Sequence, residues 1–280
     1  MSTFADDWLS AREPADRRAR DSGLVVRLAE LVADRPSVGI VDIGAGTGST
    51  ARAIAGLLPG RQHWDLVDFD ADHLRQAATS LASLADRDGE PLTVRTLTAD
   101  LSGGLPASLI EGANILTCSA FLDLVGQDFV ERFAATAAEQ GLVVYAALNV
   151  DGRLACDPAD AMDAAIFAAF NAHMRGDKGF GPALGAASTD ATAEAFRAHG
   201  YVVATAPSDW VVDSGDSSLA ARLLDGWVTA VSETGQIDAA DLQTWEARRR
   251  DEISADGVRF LVGHMDLLAW PARPRNQLLI

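Results

Sequence analysis

Residues 41–49 read Val41-Asp42-Ile43-Gly44-Ala45-Gly46-Thr47-Gly48-Ser49, and the fold follows from how this stretch is read. Val38 to Ile43 is a short apolar run suited to a buried parallel strand. Gly44, Gly46 and Gly48 carry no Cβ, so the chain can turn tightly and a ligand can lie against bare backbone. Thr50 to Leu58 puts Ala51, Ile54, Ala55 and Leu58 on one helical face, and the first N–H groups of that helix point at the turn. His63 to Phe69 is a second strand, ending in Val67-Asp68-Phe69-Asp70. A carboxylate at the carboxyl end of that strand can accept both hydroxyls of a ribose. The pattern predicts a site for a nucleoside-bearing cofactor.

Three details sharpen it. Asp42 sits inside an apolar strand, where a carboxylate costs energy unless a cationic or hydrogen-bonding group meets it. Ser49 occupies the sixth position of the Gly-x-Gly-x-x-Gly template, where dinucleotide folds favour glycine or alanine. Leu92 to Ala99 is another strand-like run, ending at Asp100-Leu101, which offers an acid and a backbone amide at the same crevice.

These residues resemble the class I S-adenosylmethionine-dependent methyltransferases. The family's Asp-x-Gly-x-Gly-x-Gly turn, which holds the methionine part of the cofactor, matches Asp42 through Gly48 without a gap, Ala45 included. The resemblance implies that Asp68, with Phe69 and Asp70 beside it, binds the ribose. It also implies that Asp100 meets the adenine amino group while Leu101 supplies backbone. The segment from Asn114 to Leu124 resembles the part lying under the reactive methyl, which brings in Ser119 and Asp123. The likeness covers residues 36–150 well, and 188–207 and 258–270 more loosely.

Along the chain, strands are predicted near 38–43, 63–69, 92–99, 113–118 and 141–148, with helices near 49–58, 71–85 and 127–139 between them. That alternation implies an α/β fold with a mostly parallel sheet covered on both faces, its strand carboxyl ends on one ligand-bearing edge. Residues 1–35 read as helical, with Pro14 suiting a helix start after a break. Residues 151–158 read as a loop, 159–174 as a helix and 176–185 as a glycine-rich loop. Then come a helix at 192–199, a strand at 201–207, helices at 219–231 and 239–253, and a last strand at 259–270. In the family the last strand inserts antiparallel beside the fifth. The expected fold is therefore a Rossmann-like, seven-stranded, mostly parallel sheet with N-terminal helices and helical insertions after the fifth strand and between the sixth and seventh. The expected divisions are 1–35 as a helical lid, 36–150 as the cofactor-binding core and 151–187 as a helical insertion on the substrate side. Residues 188–280 would complete the sheet, carrying a helical insertion at 208–257.

The net charge of −17 and the pI near 4.5 repel phosphate backbones and anionic lipid heads, so neither a nucleic acid nor a membrane is an expected partner. Arg248-Arg249-Arg250 lies among Glu246, Asp251 and Glu252 and reads as a solvated helix face. Cys118 and Cys156 have no metal-like spacing and read as reduced core thiols; no metal site is expected. With no signal-like N-terminus and no run of membrane-spanning length, a cytoplasmic protein is expected.

Methyl transfer requires an aligned acceptor, and a base only if that acceptor is protonated. His173, at the end of a helix and before the glycine-rich loop, is the candidate base. Lys178, the chain's only lysine, and Arg175 flank it and could clamp an anionic acceptor. Arg12, Glu13, Asp16 and Arg20 form a charge cluster that either folds over the cofactor as a lid, with Trp8 or Phe4 covering it, or forms an exposed helix face. Arg20 counts as a cofactor contact and Arg12, Asp123 and Lys178 as substrate contacts. His264 and the tryptophans 210, 227, 245 and 270 read as core or interface residues. The expected activity is methyl transfer from S-adenosyl-L-methionine to O or N of a small molecule, with pairing of the 208–257 helices in a homodimer an open possibility. The competing readings are a non-catalytic binder of that cofactor and an NAD-dependent oxidoreductase, the latter disfavoured by the turn and by the lack of a Tyr-x-x-x-Lys pair.

Overall fold

The computed structural model describes residues 6–272. The chain runs α1 (Asp6–Ala19), α2 (Ser22–Leu31), β1 (Ser37–Ile43), α3 (Ser49–Ile54), β2 (Arg61–Asp68), α4 (Ala71–Leu81), β3 (Thr93–Thr98), α5 (Ala107–Ile110), β4 (Ile115–Ser119) and α6 (Gln127–Gln140). It continues through β5 (Val143–Asp157), α7 (Asp163–Met174), α8 (Ser188–Ala198), β6 (Tyr201–Pro207), β7 (Trp210–Val212), α9 (Ser217–Thr234), α10 (Ala239–Ser254) and β8 (Arg259–Pro271).

The sheet order is β3-β2-β1-β4-β5-β8-β6. The first five strands are parallel to one another, and β8 runs antiparallel to both β5 and β6. Each face is buried because the strands are apolar on both sides. Val41 and Ile43 face Phe129, Phe133 and Phe196 of α6 and α8, whereas Val38 and Ile40 face Leu28, Ile54 and Leu74 of α2, α3 and α4. Phe129, Phe133 and Ala137 recur at helical spacing on α6, and each fully buried phenylalanine contributes about 1.5–3 kcal/mol. Gly141, in a left-handed conformation at φ 65°, ends that helix and lets β5 begin.

Several expectations need correction. An eighth strand, β7, pairs with β8 through Trp210↔Val262 and Val212↔Phe260. Residues 151–157 are not a loop but the second half of β5. The polar Asp151-Gly152-Arg153 marks a register shift, with Gly152 at φ 83°, after which Leu154 to Asp157 pair with β8 again. Alternation there is inward for Leu154 and Cys156, whose pattern the polar neighbours obscured. Pro14 lies inside a continuous α1 rather than at a helix start, since packing of that helix on β7 and α9 outweighs one missing N–H. Arg249 is fully buried, not solvated. Its Nη2 donates to both Asp163 oxygens at 2.7 and 2.8 Å and its Nη1 to Glu252 at 2.6 Å, tying α10 to α7.

The insertions and the end of α1 enclose a third core of Trp227, Trp245, Phe167, Phe260 and Trp210. Trp227, Trp245 and Trp210 are thus core residues as expected, while the half-buried Trp270 lies 5.3 Å from the Arg27 guanidinium. Both cysteines are free and buried.

Asp266 of β8 joins the layers. It is fully buried and accepts from Tyr145 Oη (2.9 Å), Leu148 N (2.8 Å) and Asp21 N (3.0 Å). Asp21 in turn caps α2 through Leu24 N at 2.7 Å. Leu148 sits at φ 57°, inside the β5 register shift, so its N–H depends on Asp266. Asp266→Ala should therefore destabilise the protein by about 3–5 kcal/mol, because it also strips a counter-charge from the buried Arg20. Urea denaturation measures this, and a loss below about 1 kcal/mol would contradict the role given to Asp266.

Candidate functional site

The cleft lies at the carboxyl ends of β1, β2, β3 and β4, where the glycine turn, α1 and the loop after α7 meet. The turn takes the predicted form: Gly44, Gly46 and Gly48 have φ of 61°, 51° and 87°. At Gly44 a Cβ would lie 2.8 Å from the Phe121 ring, so an alanine would clash as well as strain the backbone. The turn is closed by Gly48 N donating to Ala45 O (2.9 Å) and Ala45 N to Val67 O (3.1 Å).

Asp68 holds this turn to β2. Its Oδ2 accepts from Gly46 N at 2.8 Å and its Oδ1 from Asp70 N at 2.9 Å, which leaves each oxygen a further lone pair. Asp70 has a different use from the one expected. It caps α4 by accepting from Asp72 N and His73 N, and those amides, His73 first, lower its pKa. Phe69 lines the cleft and is partly exposed. Leu101 and Ala99 line it too, whereas Asp100 is exposed outside the lining and accepts from Ser102 N at 2.8 Å.

Beneath the turn is a buried charge cluster. Asp42 is fully buried, neither oxygen has a hydrogen-bond partner, and burial raises its pKa to about 8 against the pull of Arg20. Arg20, from the end of α1, donates from Nη2 to Ser119 Oγ (2.8 Å), and Ser119 shares a hydrogen bond with Thr50 at 3.0 Å. Burial opposes the Arg20 charge, but Tyr145, Asp266 and Asp16 outweigh it and its pKa rises. Its Nε and Nη1 are buried without partners. Ser119 lines the cleft, and the next residue, Ala120, is held at φ 49°, a left-handed conformation rare for alanine, which sets Phe121 over Gly44.

α1 contributes to the cleft. Leu9 and Arg12 line the cleft, and Leu9 Cδ1 lies 3.7 Å from where a Gly46 Cβ would be. Trp8 packs on Trp210 instead, and Phe4 lies outside the described residues. Arg12 forms two hydrogen bonds with Asp16 (2.9 and 3.1 Å) and stacks over Trp210 at 4.9 Å. Asp16 thus pairs with Arg12, not with the i+4 Arg20. Met174, Lys178, Phe180, Phe121 and Leu124 complete the far end.

His173 requires correction as the base. Its Nε2 is 2.8 Å from Glu233 on α9, and it does not line the cleft; its neighbour Met174 does. A residue at the end of α7 points either to α9 or to the cleft, and the sequence could not tell which. Arg175 is likewise outside the lining. Asp123 is buried, with Oδ1 unpartnered and its pKa raised to about 6 by burial, with Arg12 opposing; it too lies outside the lining. His264 is the satisfied core histidine expected. Its Nδ1 meets Val262 O at 2.9 Å and its pKa is lowered to about 4, by burial first. Sequence reasoning missed Leu9, His73, Phe121, Phe180 and Met174. His73 was findable, three residues after Asp70 in the first turn of α4.

No group of side chains suited to a metal ion occurs among the described residues, and no helix among them is long and apolar enough to cross a membrane. The strand order, the reversed β8 and the glycine turn after β1 together define the Rossmann-like class I methyltransferase fold. No protein-family model matches the sequence, and no curated protein does. Among solved structures, the chain is similar to a cyclopropane-fatty-acyl-phospholipid synthase-like protein from Lactobacillus casei, with 14% identity, a TM-score of 0.52 and 92% of each chain covered. That likeness shows a shared fold. Lower-scoring matches are the cyclopropane synthase MmaA2 from Mycobacterium tuberculosis (14% identity, TM-score 0.49, 95% of this chain and 94% of that one) and a SAM-dependent methyltransferase from Geobacter sulfurreducens in complex with S-adenosyl-L-homocysteine (13% identity, TM-score 0.47, 97% and 100%).

The unusual state of Asp42 gives a test. With a native pKa near 8 against an unfolded value near 3.8, the folded state holds a proton that the unfolded state has lost, so stability falls as pH rises between those values. Asp42→Asn keeps the shape and removes the titration. The ligand-free protein should then melt about 2–6 °C higher at pH 8, with a flatter profile from pH 5 to 8. Thermal denaturation across that range checks it; an unchanged profile would show that Asp42 is not held protonated.

Proposed function

We propose that the protein is an S-adenosylmethionine-dependent methyltransferase acting on O or N of a small molecule. The observation that carries the reading is the cradle itself: a glycine turn that follows the buried Asp42 of β1 and is pinned by Asp68 at the end of β2. The fit is chemical as well as steric. Asp68 retains lone pairs for two ribose hydroxyls, and Phe69, Ala99, Leu101 and His73 form a partly apolar wall for a planar base. For an amino-acid tail the cleft offers the Ser119 hydroxyl and the backbone of the glycine turn; Asp42 and Arg20 are buried outside the lining, Arg20 holding Ser119 from behind.

When bound, the cofactor supplies a methyl group on a sulfonium, already activated for in-line displacement. The chain's own work is to place the acceptor and exclude water. Ser119 and Ala120 form the floor, Leu9 and Arg12 close the top, and Met174, Phe180, Phe121 and Leu124 form the far wall. Among the described lining residues, the far end offers no histidine and no carboxylate. These residues therefore position rather than deprotonate, which suits an acceptor atom that already carries its lone pair, such as a neutral amine or an ionised oxygen.

Isothermal titration should give micromolar binding of S-adenosyl-L-homocysteine and no binding of NADH. Asp68→Ala should weaken the former roughly 100-fold, about what two charge-assisted hydrogen bonds contribute. Undiminished affinity in that variant, or NADH binding in place of the homocysteine compound, would refute the assignment. Transfer of a labelled methyl group to a small-molecule panel then separates an enzyme from a binding protein.

A further inference from the structure

We infer that the acceptor is an acid: a molecule with a planar apolar body whose single anionic group is held by Lys178. The inference rests on the methyltransferase reading for its chemistry, but not for its geometry. The far end of the cleft is apolar, built from Met174, Phe180, Phe121 and Leu124. Phe121 and Phe180 meet edge to face, with ring centroids 5.7 Å apart, and both line the cleft, so the wall is aromatic and suits a planar apolar guest. Lys178 is the one charged residue that the loop after α7 contributes to this wall.

It forms no ion pair among the described residues. Asp177, the adjacent acid, uses Oδ1 to accept from Gly179 N (2.7 Å) and Gly181 N (3.1 Å) and so shapes the loop. Arg12, the other cation on the lining, is already matched by Asp16. The only lining carboxylate, Asp68, is taken up by two backbone amides at the opposite end. Acids outnumber bases 40 to 23 in this chain, and its only lysine stands without an ion-pair partner among the described residues, on the wall of the apolar far end. The general field repels anions, so this local charge acts by contact rather than by long-range steering. It rejects cationic acceptors and offers a neutral analogue no ion pair.

The test uses a panel of aromatic and alicyclic carboxylic acids, each paired with its primary amide and screened by binding to the full-length protein with and without S-adenosyl-L-homocysteine. Acids should be enriched among the binders. For the best pair, Lys178→Met should weaken the acid roughly 10- to 100-fold, the size of one charge-assisted hydrogen bond, and leave the amide unchanged. Lys178→Arg should restore most of the loss. The affinity for S-adenosyl-L-homocysteine should stay within about twofold in both variants, since that site is built by Asp68 and the turn. A panel in which acids bind no better than amides, including one with no binders, overturns the inference, as does an acid whose affinity survives Lys178→Met. If S-adenosyl-L-homocysteine fails to bind the unaltered protein, the proposed function falls, while the acid–amide comparison still reads Lys178.

Discussion

A guanidinium carried into the interior by the last turn of α1 sets the terms for the rest of the molecule. Arg20 cannot be buried as a cation without negative charge around it, and the fold supplies this from two directions. Asp266 comes from the reversed strand β8 and Asp16 from one turn back along α1, while the neutral Tyr145 of β5 offers its ring face at 6.0 Å. Ser119, at the end of β4, receives one of its hydrogen bonds. The same cluster thus fixes where the N-terminal helix lies, how β5 meets β8, and where the floor of the cleft begins. Asp42 stays protonated in this setting, since burial disfavours a second uncompensated carboxylate more than Arg20 favours it.

The cofactor half of the site was legible in the sequence because its chemistry is local. A glycine turn needs its glycines consecutive in the chain, and Asp68 lies at the end of the very next strand, so Asp42 to Asp68 could be read without knowing the fold. Strand and helix alternation over 37–147 was legible for a similar reason, each element being short and apolar. What failed was non-local. Arg249 looked solvated because its neighbours in sequence are acidic, while its true partner, Asp163, belongs to another helix. The polar Asp151-Gly152-Arg153 resembled a loop because it is a register shift, and the pairing that continues the strand on both sides of it comes from the distant β8.

The acceptor half shows the same division. His173, Met174 and Lys178 are close in sequence, and nothing in their spacing says which of them the helix end turns toward the cleft. Packing decides: Glu233 on α9 takes the histidine, leaving the methionine and the lysine for the wall. Phe121 became visible only through Gly44, whose missing side chain is the space the ring occupies. The turn is therefore shaped by two demands, one from the ligand above it and one from the aromatic wall beside it.

The fastening of α1 is uneven along its length. Toward its inner end Arg20 is locked in the interior, beyond the reach of dissolved ions. The helix is also tied to the α9 region by Arg222–Asp7 at 2.7 Å and Arg18–Asp216 at 2.5 Å, both with at least one half-exposed partner. Such pairs fade as ionic strength increases. Arg18 lies beside Arg20 at the inner end, so the helix is a flap nailed there and buttoned at its free end by Asp7. Brine would loosen the buttons without drawing the nail, quickening the exchange of whatever occupies the cleft while sparing the fold beneath it.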